Sequence, residues 1–153
     1  MKEFNYSLDY KSLDFSNSNI RKLYRIGRGE QGVLLVRPYT EDICRYWRFK
    51  DEVTARKSAS KIYEMFLDYT RESDFIGMDM ARKFLEMGFT RARRYANHSS
   101  GKKYSETGEV LPQDKDALVC EKAKSATIFK HYRDLAAHHP TYQQMRKQWR
   151  AAE

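Results

Sequence analysis

Residues 22–39 read "KLYRIGRGEQGVLLVRPY", and how this stretch folds decides the class of the whole chain. Tyr24 and Ile26 alternate with charged residues, as in a half-buried strand. Val33, Leu34, Leu35 and Val36 form an apolar, β-branched run that Pro38 ends. Between them lies the turn-rich "GRGEQG", with Gly27, Gly29 and Gly32 free to adopt positive φ. The pattern predicts a hairpin that pairs residues 23–27 with 32–37. "RYWRFK", residues 45–50, supplies a third short strand, with Tyr46 and Trp47 facing opposite ways.

Outward from this stretch the period changes. After Asp51, the residues Ala55, Ala59, Ile62, Tyr63, Phe66 and Tyr69 recur at helical spacing and predict a helix over 51–71. A second helix follows in "GMDMARKFLEMGFTRARRYANH", residues 77–98. There Ala81, Phe84, Leu85, Gly88, Ala92, Tyr95 and Ala96 share one stripe, and Gly88 within it marks the close approach of another element. "SSGKKYSETGEVLP" reads as a loop with a small hairpin around Thr107 and Gly108. A third helix covers 114–138, with Leu118, Ala126, Ile128, Phe129 and Tyr132 apolar. Beyond Pro140 a terminal helix turns Tyr142, Met145 and Trp149 inward. Residues 1–20 read as an arm docked through Phe4, Tyr6, Tyr10 and Phe15, and 21–153 as a single domain. The fold class expected is α+β, a small antiparallel sheet near the N-terminus packed against three to four helices. Its expected core includes Phe84, Leu85, Ala92, Tyr95, Ile62, Phe66 and Leu34.

The chain has 153 residues, a formal charge of +8 and a pI of about 9.4. The excess is local. Net charge is +4 over residues 1–50, −2 over 51–75, +5 over 76–104 and +1 over 105–153. On the second helix Arg82, Lys83, Arg93 and Arg94 are expected opposite the apolar stripe, with Arg91 on its flank. Cations suit a helix C-terminus, where one or two of them complement the macrodipole. The larger number here, with Asn97, His98, Lys102, Lys103 and Tyr104 following, points to a rim that binds phosphate. Arginine presents a fork of donors matched to phosphate oxygens. Arg28 in the glycine loop joins the same candidate set.

Other chemistries find little support. The glycine loop lacks the Gly-Lys-Ser/Thr ending of a phosphate-binding P-loop and is followed by an apolar run rather than a helix. His131, His138 and His139 stand without cysteine or carboxylate at metal-ligand spacing, so no metal is expected. Cys44 and Cys120 are far apart and read as reduced thiols. No cofactor and no catalytic residue is indicated. No apolar run is long enough to span a bilayer, so a cytoplasmic protein with no membrane partner is expected.

The blocks "YRIGRGEQGVLLVRPY", "WRFK", "GMDMARKFLEMGFTRARRYANH", "GKKY" and "TGEVLP" resemble an uncharacterised family of small proteins from bacteria and tailed phages, known as a domain of unknown function. The likeness covers most of residues 10–142. It implies a single-domain cytosolic protein and carries no activity with it. In that family an acidic residue precedes the proline where this chain has Arg37.

The function expected from these features is that of a nucleic-acid-binding accessory protein, DNA or RNA, without base specificity. Tyr104 or Trp47 would stack on a base. Two alternatives stand beside it. One is a small enzyme on a phosphorylated or nucleotide substrate, with Glu30, Asp79 and His98 as acid/base groups and Arg28 and Arg94 on the anion. The other is an interaction module through which a phage engages a host protein.

Overall fold

The computed structural model describes residues 2–98, 102–114 and 120–153. Three long helices form its frame, and side chains cap the first two. Asp51 accepts from the Thr54 amide at 2.8 Å and starts α3, Glu52–Arg71. Asp74 accepts from the Gly77 amide at 3.1 Å and starts α4, Phe75–Asn97. Between them Ser73 takes a positive φ of 54°, which lets the chain reverse. The third, α5, is Glu121–Ala137; the expected helix over 114–138 is shorter here, and Leu118 lies outside the described residues.

Contacts fix the directions. Tyr63 packs against Tyr132 and Phe66 against His139, so α3 and α5 run parallel. Lys122 lies over Tyr95, Glu86 pairs with Arg133 at 2.8 Å, and Asp79 meets Tyr142. Helix α4 therefore runs antiparallel to α5, in an up-down-up bundle. The close approach expected at Gly88 is made by the Phe129 ring of α5.

The remaining elements are short. Asn17 caps α1, Ser18–Arg21, and α2 is Tyr39–Cys44. A 3-10 turn spans Tyr10–Ser12, and α6 is Pro140–Ala152. Phe4, Tyr10 and Phe15 are buried in a stack with centroids 5.4 and 6.0 Å apart, while Tyr6 is exposed.

The expected α+β class is overturned: among the described residues the regular structure is helical, with no strand and no sheet. The stretch 23–37 is a string of tight turns. Gln31 bonds back to Arg28, Val33 to Glu30 and Leu35 to Gly32, each at 3.0–3.1 Å. All three glycines have positive φ (70°, 55° and 78°), so the chain turns repeatedly where a strand would run straight. Burial follows the same logic, since Val33, Val36 and Tyr39 point inward at a spacing of three and Leu34 is exposed. Residues 45–50 likewise form no strand; Trp47 instead donates its indole N–H to the Phe84 carbonyl at 3.0 Å. Near Thr107 and Gly108 the expected reversal exists as one antiparallel bridge, Tyr104 with Val110.

Phe84, Leu85, Ala92, Ile62 and Phe66 are buried as expected, but Tyr95 and Leu34 are not. Tyr95 lies near the end of α4, packed on Phe49 and Lys122 with its outer face open. Both cysteines are free, and among the described residues no helix is long and apolar enough to cross a membrane.

Candidate functional site

The turns of residues 23–37 pack on the face of α4 that sequence periodicity marks as polar. This brings Lys83 inside. Its side chain is fully buried, its ammonium donates to the Gln31 carbonyl at 2.6 Å, and it lies 4.9 Å from the Tyr24 ring and 5.2 Å from the Phe4 ring. The expectation that Lys83 lies on an exposed cationic arc is thus corrected. The polar face of the helix is covered by a segment of the same chain.

Asp79 sits one turn before Lys83 and is completely enclosed. Its carboxylate accepts from the Tyr24 hydroxyl and from the Tyr142 hydroxyl at 2.5 Å. Arg82 donates to it through Nε at 2.9 Å, its Nη2 lies 2.9 Å from the same oxygen, and the Lys83 ammonium is 3.6 Å away. Burial pushes the carboxyl upward, but Arg82, Lys83 and the two hydroxyls outweigh that and hold it at about 2. For Lys83 desolvation is the larger effect: with Arg82 beside it, the ammonium is held down to about 8 despite Asp79. A buried ammonium and a partly exposed guanidinium share one buried carboxylate, and each polar partner in the cluster is hydrogen-bonded.

Helix α6 closes the cluster. Pro140 occupies its first turn, where a missing N–H costs nothing, and His139 caps it by accepting from Thr141 at 3.2 Å. Tyr142, Met145 and Trp149 face inward as expected from their spacing, and Trp149 donates to the Tyr24 carbonyl at 3.0 Å. The stripe flanking them carries Gln143, Arg146, Lys147 and Arg150. Arg150 donates to the Gly27 carbonyl at 2.9 Å, and Arg82 to the Gly29 carbonyl at 3.1 Å. The glycine loop is tied between α4 and α6.

These ties frame a cleft of about 780 Å³. Arg28, Arg82, Arg146, Lys147 and Arg150 line it together with Gln143 and His138, and no carboxylate does. Asp79 answers Arg82 from below. Arg150 lies 3.5 Å from Glu153, and Arg28 lies 3.4 Å from Glu3 across an exposed contact. Among the described residues Arg146 and Lys147 make no ion pair.

The sequence-derived residues divide between the two ends of α4. Arg28 and Arg82 belong to the cleft. Arg91 and Arg94 are exposed at the far end, and Arg93 donates to Asn97 at 3.1 Å. His98 is buried, with Nδ1 3.1 Å from the Pro112 carbonyl. Lys102, Lys103 and Tyr104 are exposed, the Lys103 ammonium lying 5.7 Å from the Tyr104 ring centre. Trp47, the other candidate for stacking, is partly buried against Phe84. Arg82 and Arg94 are about 18 Å apart along the helix axis. The acid/base trio of the enzyme alternative does not meet: Glu30 accepts from Thr90 at 2.8 Å, Asp79 is sealed, and His98 faces Pro112.

Arg146, Lys147 and Arg150 were missing from the sequence-derived set. Their signal was present, as the stripe beside Tyr142, Met145 and Trp149 holds three cations and no carboxylate. The near-neutral charge of residues 105–153 as a whole hid it. No curated protein and no solved structure matches the chain. Residues 5–152 match the model of a family described as "Domain of unknown function (DUF4385)", and as that match spans nearly the whole sequence, the chain belongs to this family.

Proposed function

We propose that this protein binds nucleic acid through its phosphates, without reading bases, and that the cleft between the glycine loop and α6 is the principal contact. The observation that carries the reading is the convergence of five cations on one concavity, two of which, Arg146 and Lys147, have no protein counter-charge among the described residues. A surplus of this kind repels itself until an anion answers it. Arg91 and Arg94 at the far end of α4 add a second, exposed contact for a bound strand. The cleft offers little for base readout, because Tyr142 lines it with a ring that is almost wholly buried.

The test is fluorescence anisotropy with labelled single- and double-stranded DNA and RNA at low salt. Binding is expected, and R146A/K147A is expected to weaken it alike for every sequence by about ten-fold or more while the thermal melt stays unchanged. Absence of binding to all four ligands at low salt would refute the reading.

A further inference from the structure

We infer that the cleft also receives a small ligand bearing two or three directly linked phosphoryl groups, a nucleoside triphosphate or a short inorganic polyphosphate. This rests on the cleft being a phosphate site, as proposed above. The first support is its size, since about 780 Å³ falls within the roughly 300–1,000 Å³ of small-molecule sites. The second is the arrangement of charge. Arg146 and Arg150 are one turn apart on α6, about 6 Å along its axis, with Lys147 between them. Arg28 and Arg82 form the facing wall. Linked phosphoryl groups place several negative charges within that span, whereas a nucleic-acid strand offers one charge per nucleotide.

The third support is the division of labour among the cations. The Arg82 and Arg150 guanidiniums are committed to Asp79 and to the Gly29 and Gly27 carbonyls, so they act as fixed charges that hold the walls in place. Arg146 and Lys147 keep their donors available, and Arg28 is held only by an exposed 3.4 Å pair with Glu3. Preorganised walls with three available cations suit a compact, multiply charged ligand that brings all its oxygens at once. Tyr142 is buried and the exposed His138 imidazole is the one ring at the cleft that a base could meet, so the phosphoryl chain supplies most of the recognition.

Isothermal titration calorimetry on the full chain at low salt tests this, using sodium tripolyphosphate, ATP, AMP and orthophosphate. Tripolyphosphate and ATP are expected to bind one per chain, about ten-fold or more tighter than AMP and orthophosphate. R146A/K147A is expected to abolish that margin, and R91A/R94A to leave it intact, with both variants melting as the parent does. ATP equal to tripolyphosphate identifies the phosphoryl chain itself as the ligand; ATP clearly tighter identifies a nucleotide. Tripolyphosphate no tighter than orthophosphate, or unaffected by R146A/K147A, would overturn the inference. Should oligonucleotides bind while tripolyphosphate does not, this inference fails and the nucleic-acid reading survives. The reverse result removes the nucleic-acid reading alone.

Discussion

Lys83 concentrates the physics of the molecule in one side chain. A buried ammonium is costly, and here one carboxylate serves both it and Arg82. Its pKa in the folded protein, about 8, lies below the ordinary lysine value of 10.5, so the unfolded chain holds more protons between those limits. Stability therefore rises with pH from about 8. Above about 10 the trend reverses, because Tyr24 and Tyr142, raised by burial and by Asp79, stay protonated only in the folded state. Lys83→Met is expected to remove the rise, roughly 2 kcal/mol between pH 8 and 10, measured by urea unfolding across that range. A variant that keeps the parent's slope would place the titration elsewhere. Asp79→Asn leaves Arg82 and Lys83 without a counter-charge and is expected to cost about 3–5 kcal/mol. Neither role was legible in the sequence. Periodicity puts Lys83 on the polar side of its helix, and nothing local shows that another segment covers that side.

At the scale of elements, helices α3 and α4 were legible to within a residue or two, because their apolar stripes and Asp caps agree. The close contact at Gly88 was legible too. A Cβ built there would lie 2.3 Å from the Phe129 ring, so Gly88→Ala is expected to destabilise by about 1–3 kcal/mol in urea unfolding. A neutral effect would mean that α5 can shift away. The turns of residues 23–37 were misread, for a physical reason. An apolar run after a glycine-rich loop scores as a strand locally, yet a strand needs a partner. The three positive-φ glycines instead wrap the chain over α4, where Val33 and Val36 bury against the core. At Gly32 a Cβ would meet the Phe4 ring at 2.1 Å, so the loop and the arm hold each other in place.

For the whole molecule, the misread segment and the missed site are one event. Had residues 23–37 formed a separate sheet, α4 would present a cationic face to solvent, and the binding surface would lie at its C-terminal end. Because they wrap α4, Lys83 goes inside and Arg82 becomes the floor of a cleft. The basic surface then extends onto α6, whose cationic stripe was visible in the sequence but had no partner until the fold supplied the glycine loop. Basic side chains thus gather at two places along α4, the cleft it shares with α6 and its own C-terminal end, with the carboxylates of Glu30 and Glu86 engaged between them by Thr90 and Arg133. The central claim, that phosphates bind in the cleft, is tested most directly by the salt dependence of oligonucleotide affinity. The slope of log affinity against log salt is expected to fall by about 1–2 in R146A/K147A, as one or two fewer counterions are released. An unchanged slope in that variant, with the loss appearing in R91A/R94A instead, would contradict the account and move the binding surface to the far end of α4.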